Sequence, residues 1–383
     1  MDFQRPNRMS RREALDLIST FFPKEWNRVT DSDIRIDRSQ SGINNEIYFV
    51  TREKVDGETG KEPVKVVIRK FSSIARDLDE ESARKQRAGF WISTMQETVV
   101  QTQLSRRGLA PQLYGLFDGG RIEEFIDGHN VTHAESCHPD IEKDIAVNLA
   151  RIHACPVPAQ KPAYFFMDRI RSIHKDAMEQ KPFYEELGDK SLLKVVSHDF
   201  ESDFDLMEPL MDLQLHRMVF MHWDCHFGNI VVRNRPESGQ SRTMILDYEI
   251  SGYNMRGKDL GAFLISRSGF YPNVRPDRRL ESSEEFSSFL TAYLSECDLL
   301  FPDFDGDGDD RMDHVMAESL VGGMTSCLCY LLRFIFLVAK KKGVTKEARA
   351  LITCIPSLFE AFIQCKEALF NRFPDPMAIL MDK

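Results

Sequence analysis

No two of the eight cysteines stand at C-x-x-C spacing, so neither a zinc knuckle nor a redox dithiol is expected. Cys137, Cys155, Cys225, Cys297, Cys327, Cys329, Cys354 and Cys365 are spread thinly along the chain. That pattern reads as reduced thiols in a cytoplasmic protein, most of them core filler. An excess of positive charge is also missing. Lys and Arg number 50 against 60 Asp and Glu, a net charge of −10, so no nucleic-acid partner is expected. Internal repeats and low-complexity tracts are absent. Arg5, Arg8, Arg11 and Arg12 precede no apolar stretch of the secretory kind, and no secretory signal is expected.

Long hydrophobic runs are scarce too. The one that stands out, Leu320 to Ala339, has Arg333 well inside it and is diluted by Gly322, Gly323 and Ser326. A central arginine costs roughly 2.5–3.5 kcal/mol in a bilayer. With no second candidate segment, the run is expected to be a core helix and the chain to have no membrane span. The sequence Asp303-Phe304-Asp305-Gly306-Asp307-Gly308-Asp309 starts like an EF-hand, but His314 stands at the twelfth position where a bidentate Glu is needed. It is expected to be a solvated acidic loop.

What is present points to two lobes. The 383 residues are long for one core and comfortable for two. Strands are expected over Asp33–Ser39, Glu46–Thr51 and the β-branched Val64–Phe71. A helix from about Ser82 to Arg107 follows, closed by Gly108 and Pro111. Two more strands, Gln112–Phe117 and Arg121–Ile126, flank the Asp118-Gly119-Gly120 turn. After about residue 127 the chain reads as helices, with short strand pairs near 218–233 and 243–250. The expected class is α+β, with a small antiparallel-sheet lobe over 1–126 and a larger helical lobe over 127–383.

The chemistry concentrates between residues 222 and 261. His222-Trp223-Asp224-Cys225-His226-Phe227-Gly228-Asn229 has the form H-x-D-x-x-x-x-N between apolar flanks, and Asp247 ends a further apolar strand. Phosphoryl transfer needs a residue to orient a hydroxyl nucleophile and oxygen ligands to hold Mg²⁺ against nucleotide phosphates. Asp224 is therefore expected to be the base, with Asn229 and Asp247 as magnesium ligands. His222 is expected to be a packed, hydrogen-bonded structural residue. His153 and Cys155 read as a helix end and not a metal site.

Asp247-Tyr248-Glu249-Ile250-Ser251-Gly252-Tyr253-Asn254-Met255-Arg256-Gly257-Lys258-Asp259-Leu260-Gly261 resembles the second signature of the choline/ethanolamine kinase family, D-x-E-x-[SA]-x-Y-N-x-R-G-x-D-[LI]-G. Glu97-Thr98-Val99 through Leu109-Ala110-Pro111-Gln112-Leu113-Tyr114-Gly115 is similar to the same family's helix and following strand. With weaker stretches the resemblance covers roughly residues 33 to 370. It implies a two-lobed protein-kinase-like fold that moves the γ-phosphate of ATP, with Mg²⁺, to the hydroxyl of choline, the first step towards phosphatidylcholine. Ethanolamine or another amino alcohol is the alternative acceptor, and a catalytically weak regulatory relative is a third reading. Members of that family often form dimers, so a homodimer is an expectation carried by the resemblance alone.

Further roles follow from the resemblance residue by residue. Gly42 to Asn45 corresponds to the nucleotide loop, Arg69 to the phosphate contact and Glu97 to its helix partner. Glu124 to Ile126 falls where main-chain groups bind adenine, and His226 stands near the nucleotide phosphates. On the substrate side stand Asp224, Glu249 and Tyr271, with Tyr330 and Phe334 as candidates for the same wall. The sequence also departs from the family. Trp223 replaces the usual Asn, Phe227 a frequent Glu and Gln40 a frequent Arg. Ala262-Phe263-Leu264-Ile265-Ser266 lacks the Glu that faces the cationic head group, and Leu328–Val338 lacks the tryptophans of the corresponding helix. The phosphate-moving machinery reads as intact and the acceptor pocket as altered.

Overall fold

A computed structural model describes residues 9–39, 45–54, 60–71, 92–162, 167–301, 308–342 and 345–381. Gly42 with most of its loop, Gln40, the start of the expected 82–107 helix and most of the acidic loop at 303–309 lie outside the described residues. The chain divides into two compact units, 1–87 with 101–127, and 88–100 with 128–383.

The first unit is built on β1 (Ile34–Arg38), β2 (Asn45–Arg52), β3 (Lys65–Phe71), β4 (Leu113–Phe117) and β5 (Gly120–Glu124). They form one antiparallel sheet in the order β1-β2-β3-β5-β4. The strand that the sequence marks as richest in β-branched residues, β3, takes the central place. Its Val66, Val67 and Ile68 are buried. A helix that the sequence reading missed, α1 (Arg11–Phe21), packs with this sheet. Four arginines obscure it by composition, yet Ala14, Leu15 and Ile18 recur on one face. Ser10 and Glu13 close its first turn as a reciprocal cap. Ile18, Trp26, Tyr48, Val50, Ile68 and Ile122 make the centre of this core.

Helix α2 (Thr94–Ser105) crosses the division between the units. The second unit holds α3 (His133–Ser136), α4 (Pro139–His153), α5 (Met167–Met178), α6 (Lys181–Leu187), α7 (Lys190–Val196) and α8 (Phe200–Leu210). After the strands described next come α9 (Gly257–Arg267), α10 (Ser283–Leu300), α11 (Gly308–Lys340), α12 (Lys346–Arg372) and α13 (Pro376–Met381). The short strands pair across the chain, not only with their sequence neighbours. β7 (Met218–Met221) pairs with β10 (Gly252–Met255), while β8 (Ile230–Arg233) lies between β6 (Gly128–Asn130) and β9 (Thr243–Ile245). β6 and β10 were not foreseen, because each is too short for a period-two signal.

Helix α11 contains the apolar run and packs against α9 and α12. It is buried nearly all round, as a core helix is. A second helix, Ala348–Arg372, is also long and apolar enough to cross a membrane by length and composition, which corrects the reading that Leu320–Ala339 stands alone. Gly322 and Gly323 have a packing role. A Cβ on Gly322 would collide with the carbonyl of Gly257, and one on Gly261 with the amide of Gly323. Glycine at both levels lets α9 and α11 touch backbone to backbone.

Candidate active site

The loop from His222 to Asn229 joins β7 to β8 and is fixed from below by Asp259 in the first turn of α9. One Asp259 carboxylate oxygen accepts the His222 N–H at 2.6 Å and the other the Trp223 N–H at 2.7 Å. His153, the last residue of α4, reaches the same carboxylate through Nε2 at 3.1 Å and meets the Tyr293 hydroxyl through Nδ1 at 2.7 Å. Burial would raise the Asp259 carboxyl, but His153, His222 and the backbone donor hold it below the usual range. Trp223 has φ 75°, a left-handed conformation that costs a non-glycine residue energy. Its carbonyl accepts Lys258 Nζ at 3.0 Å, and the same ammonium lies 4.6 Å from the centre of its ring.

Asp224 sits on this support. Its N–H donates to His222 Nδ1 at 3.1 Å, and the fully buried His222 donates from Nε2 to the Leu246 carbonyl at 2.8 Å. The Asp224 carboxylate accepts the Tyr330 hydroxyl at 2.5 Å, and His226 Nε2 lies 3.4 Å away. Burial would raise its pKa. His226 and the Tyr330 hydroxyl overcome that and hold it well below the usual carboxylate range. Tyr330 is pushed the opposite way by burial and by Asp224, so it stays a neutral donor.

Asn229 turns its carboxamide nitrogen to the Asp224 carbonyl at 3.0 Å and to its carboxylate at 3.3 Å, which directs the amide oxygen to the other side. The Leu246 N–H donates to the Asn229 carbonyl at 2.8 Å, continuing the β8–β9 ladder from Ile230 and Ile245. Asp247 is therefore one residue past the cross-strand partner of Asn229. It too is left-handed, at φ 72°. Asn229 and Asp247 thus stand at the same end of adjacent strands, with the Asn229 side chain against Asp224.

Aromatic rings stand next to the carboxylate. The Tyr271 ring is centred 4.8 Å from that of Tyr330 and 5.6 Å from Phe334. His226, expected near nucleotide phosphates, lies edge-on to Tyr271 at 4.9 Å and faces Asp224. Its Nδ1 accepts the Gly228 N–H at 3.0 Å, which leaves Nε2 to carry the proton towards Asp224. Arg333, half-buried on the helix that carries Tyr330, is pushed down by burial and back up by Asp224 and Glu249. The Glu249 carbonyl accepts the Ile92 N–H at 3.1 Å.

In the first unit, Arg69 on β3 lies 3.8 Å from Glu123 on β5, which also binds Arg121. Glu123 is a carboxylate beside Arg69 that drew no role from the sequence. Burial would raise Glu123, yet the two guanidinium groups hold it low. Glu97 is buried in the first turn of α2, in the segment that groups with the second unit. The Glu124 N–H donates to the Gln112 carbonyl at 2.8 Å, so that amide already serves the sheet edge. Ile126 is buried beyond the end of β5, and Asn45 begins β2 opposite Phe71.

Several residues at the site drew no role from sequence. Asp259 and Lys258 are quoted in the signature, yet only the fold shows that they brace the loop. Arg256 is fully buried with Nε 2.5 Å from Glu318 on α11. A lone acid inside a hydrophobic helix, such as Glu318, was the available signal. Arg333 was counted only as a charge that argues against a membrane span.

A loop of this form between β7 and β8, followed by an aspartate closing β9, puts the second unit among the phosphotransferases of protein-kinase-like fold. The chain belongs to the choline/ethanolamine kinase family, whose profile matches residues 36–319. It is 26% identical over 305 residues to choline kinase alpha of Mus musculus, covering 76% of this chain and 67% of that one. It is 26% identical over 255 residues to a choline/ethanolamine kinase of Homo sapiens, covering 67% and 60%. A probable ethanolamine kinase A of Dictyostelium discoideum is 25% identical over 281 residues, 72% of each chain. The chain thus spans roughly three fifths to two thirds of the first two relatives' length. Among solved structures, a choline kinase from Cryptosporidium parvum superposes with TM-score 0.68 at 18% identity over 96% of this chain and 99% of that one. A Plasmodium vivax ethanolamine kinase gives 0.60 at 17% over 91% and 88%. An antiparallel sheet followed by a mainly helical region is the fold they share.

Proposed function

We propose that the protein transfers the γ-phosphoryl group of ATP to the hydroxyl of a small amino alcohol, with Asp224 as the base. The observation that carries this is the held, ionised Asp224, bonded to Tyr330 and Asn229 and beside an aromatic wall. Asp224 takes the acceptor's hydroxyl proton as the acceptor oxygen bonds to the γ-phosphorus. The bond from phosphorus to the bridging oxygen then breaks and leaves ADP. Tyr330 holds the carboxylate in place, and Asp259 holds the loop, so the base arrives pre-positioned. Asn229 and Asp247 offer hard oxygen atoms, the donor type that Mg²⁺ takes. When bound there, Mg²⁺ would neutralise phosphate charge. Tyr271, Tyr330 and Phe334 present ring faces that suit an ammonium group, quaternary as in choline or primary as in ethanolamine. Arg69 is the proposed phosphate contact of the first unit, and the segment Glu124 to Ile126 the proposed adenine contact.

Purified protein with Mg-ATP and a panel of choline, ethanolamine and related amino alcohols tests this. Phosphorylated amine that disappears with Asp224→Ala is the expected result. ATP binding without transfer to any of them would overturn it in favour of a regulatory relative.

A further inference from the structure

We propose that His133, Cys137 and Glu281 form a binding site for one Zn²⁺-class divalent ion, apart from the residues of phosphoryl transfer. One nitrogen, one sulfur and one carboxylate oxygen from these side chains all lie within 4.8 Å of one another. Zn²⁺ takes that mixed donor set, in a tetrahedron whose corners stand about 3.3–3.7 Å apart. Small side-chain rotations cover the difference.

Local structure brings the three donors together. His133 opens α3 and Cys137 caps its end, four positions on, so both side chains share one face. Thr132 and Glu135 lock that turn as a reciprocal cap. Glu281 stands just before α10, where its N–H donates to the Ser268 hydroxyl at 3.0 Å and Ser282 caps the helix. Arg267 Nε lies 3.0 Å from Glu281 Oε1 and 2.9 Å from Oε2. Oε2 is nonetheless buried without a hydrogen bond. A buried acceptor in that state calls for a further partner. Cys137 is exposed, which gives an ion its way in and leaves a fourth position to water.

Charge favours a cation. Arg267, Arg275 and Asp277 are the charged groups whose fields act on His133. Arg267 is shared by Glu142 and Glu281, Arg275 is matched by Asp277, and the neighbouring Arg279–Glu285 pair is neutral. One carboxylate is thus in excess. Ionisation of Cys137, whose proton leaves as the metal–sulfur bond forms, raises the surplus to the charge that a divalent ion cancels. The bound ion would tie α3 to the segment between α9 and α10, which also carries Tyr271.

Full-length protein stripped with a chelator and held in excess Mg²⁺ should be titrated with Zn²⁺ by calorimetry and with Co²⁺ by absorption. One Zn²⁺ per chain and a thiolate-to-cobalt charge-transfer band are expected. Cys137→Ser is expected to remove the band, and His133→Ala and Glu281→Gln each to weaken Zn²⁺ binding by at least about tenfold. A cobalt band that survives Cys137→Ser, or a Zn²⁺ affinity that His133→Ala leaves unchanged, overturns the site. So does a wild-type chain that takes up no Zn²⁺ one to one, which decides the matter even where a variant fails to fold.

Discussion

The Asp259 carboxylate accepts the Trp223 N–H at 2.7 Å while Trp223 stands in a left-handed conformation, immediately before the proposed base. The aspartate acts on chemistry without touching it. It holds two successive amides, and the strained Trp223, which carries the second, leads directly into Asp224. Removing a group that orients a reacting residue typically costs 10–100-fold where the analogous effect on metal ligands has been measured. Asp259→Ala is expected to lower kcat by about that range with ATP affinity little changed, measured by steady-state kinetics beside nucleotide titration. Because His153 loses its buried partner, a lower Tm should accompany the loss.

The signature glycines make a different prediction, about packing alone. Gly257 and Gly261 face Glu318, Gly322 and Gly323 with no room for a Cβ. The neighbouring atoms are backbone, so a methyl group can be admitted only by moving a whole helix. Gly261→Ala is expected to cost about 1–3 kcal/mol through overpacking, read as a lower urea midpoint with an unchanged slope. An alanine at Gly239, where φ is +80° but the surroundings are open, separates the two causes, since it carries only the backbone penalty.

How much of this was legible beforehand depended on where the information sits in the chain. The run Val66-Val67-Ile68 announces a strand by itself, and β3 appears over Lys65–Phe71. The contact of Asn229 with Asp224 was legible because both stand on one short loop, while the roles of these two and of Asp247 are proposals. α1 was not, since Arg11 and Arg12 mask a face of only three buried residues. Nor was the ion pair of Arg256 with Glu318, whose partners are 62 residues apart. The register of β7 with β10 was equally hidden, because it pairs segments that a loop, another strand pair and Asp247 separate. Long-range partners are a property of the fold, and no local pattern encodes them. The division of the units near residue 127 is proposed as the lobe boundary, with 88–100 grouped with the larger one.

Tyr330 carries a prediction about acidity. Its hydroxyl donates to Asp224 and helps to keep that carboxyl well below its ordinary range. A base works only when ionised, so activity falls as pH drops through its pKa. Tyr330→Phe removes the donor and raises the Asp224 pKa, since burial then meets less opposition. The acid limb of the kcat/KM profile is expected to move to higher pH, while the ring and its contact with Tyr271 remain. A limb that stays in place would show that another group sets it.

Glu318 should govern how the fold itself responds to acid. It is fully buried, with Arg256 Nε at 2.5 Å, the Arg217 N–H at 2.9 Å, His216 at 3.5 Å and His314 at 3.7 Å. Burial would raise its pKa, but Arg256 and the two histidines hold it well below the usual value. A carboxylate depressed in the folded state stabilises the fold fully above its unfolded pKa, about 4.3, and that contribution drains away as pH falls towards the folded value. His314 works in the opposite sense: its pKa is raised by Glu318 against burial, so its stabilising share is present at low pH and is lost as pH rises through the raised value. Stability should therefore improve slightly from neutral pH downward as His314 takes its proton, then fall once the medium drops below about 4.3. Glu318→Gln leaves Arg256 buried without its counter-charge and is expected to cost about 3–5 kcal/mol at pH 7, while flattening both slopes. Urea unfolding across pH 3 to 8 for the two proteins measures it, and parallel curves would place the acid sensitivity elsewhere.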